Sequence, residues 1–567
     1  MSPDKWGELI IYCYFCAINY KNEKTMNVRD WKKYLWLVMS AWMTFGLVAC
    51  SGDDDPVKQP VTIVPGEDDK DPDAPEYYTL AEAYINQFCY DQMSYYYLWW
   101  KDIDTKNWRL DADPVEKINA VRYKEDRWSM AIENIKPYTQ PSTTTPGTFG
   151  YDFKPYWGDE TQTNVVAVVT MVYPESPAEK AGLKRGSVIT RMDGKNIQNT
   201  NEDYQKLLSS PSLTLMVAES VADMNHAKEL KMTSKDMYLD PVFNERVFDC
   251  GGKKVGYVFF NDFTMECCDR LMEVAKKFKQ EGVTELILDL RYNGGGYVVT
   301  EELLASLLAP EAEVKAGALY QTAVYNGSDY SKALEKYYGA DYSNIYFKTK
   351  HEWTYKDKKF MYDTSDANIG LTKIYALVSD ATASASEAIL VSMMPYLDVE
   401  IIGAQTTGKH CSGVMFEASE YYQDYEDYAA ELKKKSQKDY KEFVDKFWKY
   451  YSGWKQYVGD WGLYVMVSTY ADKDGNNACR PNGLVPDVQV ADEPRETYPL
   501  GDDREDLLRM ALTRAGYQDF TPITRSDSRH AASGLGNSIN WNHQEGRRIL
   551  LKPELPASFA TSPLCTK

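Results

Sequence analysis

Apolar residues along the 567-residue chain change their spacing several times. Sixteen uncharged residues, Tyr34 to Ala49, follow Lys32 and Lys33 and precede an Asp- and Pro-rich stretch, 50–75, with the composition of a linker. That run is short for a membrane span, which needs roughly 18 to 20 apolar residues. A helical period comes next: Thr79 and Glu82 form a capping box, and Leu80, Tyr84 and Phe88 share one face. Asp113 and Pro114 then start a second helix with Val115, Ile118 and Val121. The pattern predicts a small N-terminal helical domain over 76–136, followed by the loop sequence PYTQPSTTTPGT.

From Phe149 the pattern turns to strands, with NVVAVVTMV at 164–172 a continuous apolar run. In YPESPAEKAGLKRGSVITRMDGKNI, Ser176, Pro177 and Glu179 cap a short helix that Gly182 ends. Gly186 turns the chain, Val188 to Met192 forms a strand, and Asp193-Gly194 makes a tight turn, within a predicted domain over 140–235. Over 236–520, the buried strands KKVGYVFF, ELILDL, KIYALVS and VEIIGA alternate with helical stretches at 265–281 and 299–308, the mark of an α/β layer architecture. Residues 417–458 interrupt it with helical spacings, Tyr421, Tyr425, Tyr428 and Leu432, then Tyr440, Phe443, Phe447 and Tyr451. This insertion either covers the active site or is a surface excursion. Residues 521–567 show no periodicity and predict a flexible tail.

Charge narrows the function. With 64 basic against 84 acidic side chains the net charge is −20, and no basic stripe offers a nucleic-acid surface. The ten cysteines show no disulfide framework, and the five histidines form no ligand pair, so no metal or other cofactor is expected. The apolar run ends in LVAC, with Cys50 before SGDDD, and this resembles a bacterial lipoprotein signal over residues 1–49. Met26 lies close enough upstream to serve as the start. The resemblance implies a lipidated Cys50, a membrane partner through that lipid, and a place in the bacterial cell envelope at the outer membrane, periplasmic or surface-exposed. Asp53 to Asp55 resemble the surface-export signal of some Gram-negative lipoproteins.

The candidate chemistry starts from SDATASASEAIL, 379–390. Ser384 and Glu387 spell an ordinary capping box, S-x-x-E. They equally suit a nucleophile: small neighbours admit a carbonyl, and free N–H groups at a helix start stabilise an oxyanion. A serine needs a base, and QTTGKHCSG, just after the strand VEIIGA, offers Lys409 and His410. Parallel neighbouring strands would bring both loops to one sheet edge. Lysine serves only if neutral, which burial favours.

TASASE at 382–387, TTGK at 406–409, LDLRYNGGG at 288–296 and GLVPD at 483–487 together resemble the C-terminal processing, or tail-specific, serine peptidases. The resemblance implies a crotonase/ClpP-like α/β core with Ser384 as nucleophile and Lys409 as general base. An amide of Gly295 or Gly296, with that of Ala385, would form the oxyanion hole. The polar residue that many members place four positions after the lysine is Gly413 here, which leaves Glu387 to supply an orienting bond. The 140–235 region similarly resembles a PDZ domain, whose SPAxxAGLxxGDxIxxxDG run it follows with Ser187 in place of Asp. Such a domain binds a peptide C-terminus by strand addition, and Phe149, Gly150 and Tyr151 stand where its carboxylate loop is expected. The implied partner is a protein or peptide with an exposed C-terminal tail. The alternative is a noncatalytic surface protein that binds peptides through the same domains.

Overall fold

The computed structural model describes residues 80–104, 108, 113–139, 144–159, 161–325, 327–444, 458–493, 497–523, 535, 537–539 and 547–549. The signal region, the linker, Cys50 and the capping residue Thr79 lie outside the described residues.

The N-terminal pattern becomes α1 (Leu80–Tyr96) and α2 (Pro114–Val121). The Asp113 carboxylate starts α2 by accepting the Glu116 N–H at 2.9 Å. These helices are not the separate domain their pattern suggests. Two short helices cannot enclose a core alone, and Tyr84, Phe88, Met93 and Tyr97 instead share one buried cluster with Val465 and Met466 far downstream. The short strand β1 (Met130–Ile132) joins the same downstream strand.

The next unit holds β2 (Tyr151–Trp157), β3 (Val165–Val172), α3 (Pro177–Ala181), β4 (Val188–Met192), α4 (Asn201–Ser209), β5 (Ser212–Ala218) and β6 (Lys228–Thr233). Its strands follow the order β2-β3-β4-β5-β6. The expected punctuation is in place: Ser176 Oγ accepts the Glu179 N–H at 3.0 Å, and Gly182 ends α3 at φ 92°.

The α/β region begins with β7 (Asn244–Cys250), β8 (Lys253–Phe259), α5 (Cys268–Glu281), β9 (Val283–Asp289), β10 (Gly295–Tyr297) and α6 (Val298–Leu308). It continues through β11 (Leu319–Val324), β12 (Asn344–Tyr346), β13 (Lys373–Val378), α7 (Ala385–Met393), β14 (Asp398–Gly403) and β15 (Cys411–Glu417). After the inserted helices α8 (Ala418–Lys435) and α9 (Gln437–Phe443) come β16 (Gly462–Ala471), β17 (Val488–Gln489), α10 (Asp506–Ala515) and β18 (Arg547–Ile549).

Two sheets result. One runs β7-β8-β9-β13-β14-β17, parallel except between β7 and β8. Leu286, Leu288, Ile374 and Ala376 face α5, α6 and α7, while Tyr257, Ile287, Tyr375 and Leu377 face α10. Covering on both faces is why these strands read as unbroken apolar runs. The other sheet runs β10-β18-β15-β16-β11-β12, with β1 beside β16. Parallel β13 and β14 end side by side, Val378 opposite Gly403, so the segments carrying Ser384 and Lys409 leave from one edge.

The insertion packs on α1. Tyr422 Oη donates to the Tyr84 carbonyl at 3.1 Å, and the Tyr421 hydroxyl bonds the Asp91 carboxylate. The described parts of the tail depart from the flexible segment expected after 521: residues 537–539 and β18 are both paired to strands. A segment held through its backbone carries no apolar period to announce it.

Candidate active site

Ser384 precedes α7 with φ 67° and ψ −114°, a backbone region that favours glycine. Its neighbours hold it there. The Ala383 N–H and the Ser386 hydroxyl both donate to the Asn293 carbonyl, at 3.1 and 3.0 Å. Thr382 Oγ1 donates to the Leu290 carbonyl at 2.8 Å. The crowd of hydroxyls around Ser384 thus stitches its loop to residues 290–293. Ser384 Oγ itself is buried and has no hydrogen-bond partner among the described residues. An unbonded buried hydroxyl costs about 1–3 kcal/mol, and such sites need an explanation beyond folding.

Glu387 is the hub. Its carboxylate accepts the N–H groups of Ser384 at 2.8 Å, Gly408 at 2.7 Å and Lys409 at 2.9 Å, together with the Thr406 hydroxyl. One fully buried side chain therefore ties the serine loop to the lysine loop. Burial pushes its carboxyl upward, and the Thr406, Ser384 and Gly408 donors oppose that rise. The expected orienting bond from Glu387 to the lysine side chain is replaced by bonds to the lysine backbone. The GLVPD segment backs this loop: the Leu484 N–H donates to Thr406 Oγ1 at 2.7 Å. A Cβ on Gly408 would fall 2.7 Å from the Gly483 nitrogen, so the two glycines allow that approach.

Lys409 Nζ donates to the hydroxyl of Tyr464, on β16, at 3.0 Å. The amine faces the rings of Tyr464 and Trp128, 4.7 and 5.9 Å from their centroids. Sequence reasoning missed both aromatic residues. A Cβ at position 413 would sit 2.5 Å from Tyr464 Cε2, so the absent side chain at Gly413 makes room for the ring that bonds the lysine. His410 turns Nδ1 toward the Gly408 carbonyl at 3.3 Å and packs edge-on against Trp128. Burial holds its imidazole below the usual range, which favours the neutral ring.

The oxyanion candidates separate. The Gly295 N–H already donates to Asn293 Oδ1 at 2.8 Å, which removes it. Gly296 has φ 142°, and a Cβ there would meet the Phe263 carbonyl oxygen at 2.5 Å. Ala385 opens α7, where its N–H has no intrahelical acceptor. Ala385 is left, together with Gly296, which pairs with Arg548 in the described arrangement.

In the β2–β6 unit, Phe149 is buried in the core, with its N–H directed to the Leu208 carbonyl at 3.4 Å. The Gly150 N–H donates to Thr148 Oγ1 at 3.1 Å, and Tyr151 Oη to the Leu207 carbonyl at 2.7 Å. Two of the three expected carboxylate-loop amides are thus engaged within the unit itself. The same unit reaches the serine loop through charge. Arg185 pairs with Asp492 at 2.7 Å and bonds Tyr292, while Arg291 pairs with Asp289 and Glu505 at 2.9 and 2.5 Å. Tyr292 and Arg291 directly precede Asn293, whose carbonyl holds the Ser384 loop.

The chain is similar to known proteins in sequence and in fold. Residues 254–490 match the model of peptidase family S41, and residues 168–218 match a PDZ domain. A carboxyl-terminal-processing protease of Picosynechococcus sp. is 22% identical over 254 residues, 44% of this chain and 53% of its own. A Staphylococcus haemolyticus protein named "probable CtpA-like serine protease" is 24% identical over 306 residues, 53% of this chain and 54% of its own. The match therefore spans about half the length of these curated relatives. A solved Bacteroides fragilis structure assigned to the S41 proteases shares the fold, with a TM-score of 0.54 and 23% identity over 78% of this chain and 98% of that one. Residues 254–490 of this chain are thus similar to peptidase family S41, and residues 168–218 ahead of them to a PDZ domain.

Proposed function

We propose that this protein is a serine endopeptidase of the C-terminal processing class, with Ser384 as nucleophile and Lys409 as general base. The observation that carries the reading is the Glu387 carboxylate, which binds the Ser384 and Lys409 backbones together across two loops. Neutral Lys409 Nζ takes the proton of Ser384 Oγ as that oxygen attacks the peptide carbonyl. The oxyanion gathers the Ala385 and Gly296 amides. Lysine returns its proton to the leaving amine, and an acyl-serine remains. Water, deprotonated by the same lysine, then attacks the ester and releases the acid. Tyr464 keeps the amine on station. The PDZ domain holds an extended substrate tail beside the site.

The test compares residues 51–567 with the Ser384→Ala and Lys409→Ala variants on an unfolded protein bearing an apolar C-terminus, with and without that tail. Each variant, still folded, is expected to lose about 1,000-fold or more in kcat/KM. Wild type that binds the tail yet cleaves nothing would favour the noncatalytic alternative. An active Lys409→Ala variant would move the base to His410.

The same reading places the protein in the cell envelope, anchored by a lipid on Cys50; the LVAC segment after a basic and apolar run supports it. Metabolic labelling with a fatty acid is expected to mark the wild type and to vanish in Cys50→Ala. Label retained in that variant would remove the anchor.

A further inference from the structure

Two pieces of the C-terminal tail sit on the two surfaces a substrate needs. Ser538 bridges Tyr156 antiparallel on the free edge of β2, the strand that follows the Phe149–Tyr151 loop. The Trp157 N–H donates to the Asn537 carbonyl at 3.2 Å, and the Ile539 N–H to the Pro155 carbonyl at 2.9 Å. Pro155 has no N–H to offer a partner, which restricts it to an edge strand such as this one. Ile539 is 9% exposed and shares the PDZ core with Phe153, Tyr204 and Leu207. Leu535 packs against the neighbouring cluster of Tyr156, Val166 and Val188. The contact is therefore strand addition with side-chain anchors, the mode by which such a domain takes a peptide.

The second piece, β18, lies between β10 and β15 and, among the described residues, is the strand that links them in the sheet order. Gly295 pairs with Arg547, Gly296 with Arg548 and Tyr297 with Ile549, while Gly413 pairs with Ile549 on the other side. One neighbour thus carries the oxyanion candidate Gly296, and the other begins two residues after Lys409. Ser384 and Lys409 have 0% exposure. No substrate reaches them without a rearrangement.

We propose that residues 535, 537–539 and 547–549 are intramolecular occupants of the substrate path, and that a competing extended peptide with an aliphatic residue at the Ile539 position must displace them. The β2 edge is one half of this interaction surface, and the slot between β10 and β15 is the other. The second half rests on the peptidase reading, whereas the first does not.

The test uses residues 51–567, the same chain ending at Gly534, and full-length Ile539→Asp, each also made in a Ser384→Ala background. A fluorescent peptide with the sequence of residues 533–541 is titrated into the Ser384→Ala forms, and unfolded-protein cleavage is measured on the active forms. Freeing the groove is expected to tighten peptide binding about tenfold or more, since an occupied groove lowers apparent affinity by its free fraction. It is also expected to raise kcat/KM by a similar factor. Equal peptide affinity in intact and Ile539→Asp chains would overturn the occupant at β2. Should the shortened chain fail to fold by circular dichroism, β18 is a structural strand and that half of the proposal falls, while Ile539→Asp still decides the other. Tighter binding without cleavage by any form would uphold the groove and sink the peptidase reading instead.

Discussion

At the scale of single residues, the site works by substitution of one bond for another. The position four residues after Lys409 is Gly413, yet the lysine has a hydroxyl partner, because the space left at 413 admits Tyr464 from the facing strand. Tyr464→Phe keeps the ring and removes the bond. Under the proposed reaction Lys409 becomes an ammonium as it takes the serine proton, and a hydrogen bond to an ionised group is worth about 1.5–3 kcal/mol, so kcat is expected to fall about 10- to 100-fold with KM nearly unchanged. A purely structural role would lower the melting temperature and leave kcat of the folded fraction intact. The short motifs around Ser384, Glu387 and Lys409 are plain in the sequence, and the structure joins them through Glu387; which atoms make the joints is not plain in the sequence. Ser386 and Thr382 bond residues 290–293, and Glu387 bonds backbone amides. Local spacing names residues; it does not say which of their atoms meet. Tyr464 gave no local signal at all, since it meets Lys409 across a strand pair 55 residues away.

Among elements, the buried strands were the most legible, because helices on both faces force unbroken apolar runs. The PDZ elements were equally plain, since each boundary is marked by a residue with its own backbone need, such as Gly182 at φ 92°. Helix α1 shows the opposite case. Its period was read correctly, and its independence was not, because the face it presents is completed by Val465 and Met466 of β16. The insertion follows the same logic: Tyr422 reaches the Tyr84 carbonyl, so α8 closes the outer side of α1. Strand β18 was invisible because it joins its sheet through the backbone between two partners from elsewhere in the chain. Pairing of that kind depends on what lies on either side and leaves no signature in three residues of sequence.

Across the whole molecule, the β2–β6 unit and the α/β region meet in an ion cluster around buried Arg185 and Arg291. Burial pushes the Asp492 carboxyl upward, but Arg185 and Arg291 pull it below its ordinary range, and Arg291 does the same for Glu505. At Asp289 burial outruns the arginine and the carboxyl is raised. For the two depressed groups the stabilisation is complete above the unfolded carboxylate range, about pH 4, and is lost as pH falls through their folded values; Asp289 works in the opposite sense. Arg185→Met is expected to cost about 1.5–3 kcal/mol, because Asp492 loses its partner at 2.7 Å and keeps only Arg291 at 3.6 Å and the Tyr292 hydroxyl, and to flatten the part of the acid unfolding curve that Asp492 supplies. Denaturant titrations at pH 7 and pH 3 check both; an unchanged midpoint at pH 7 would refute the coupling. The Glu387 knot has a different consequence. A carboxylate gripped by three amides and a hydroxyl cannot be loosened by degrees, because releasing the lysine loop breaks the Thr406, Gly408 and Lys409 bonds together. Under the proposed reaction, graded control is easier to exert at the doorway than inside the knot, so evolution would tune this protein by changing what stands in front of Ser384 while the knot itself stays fixed.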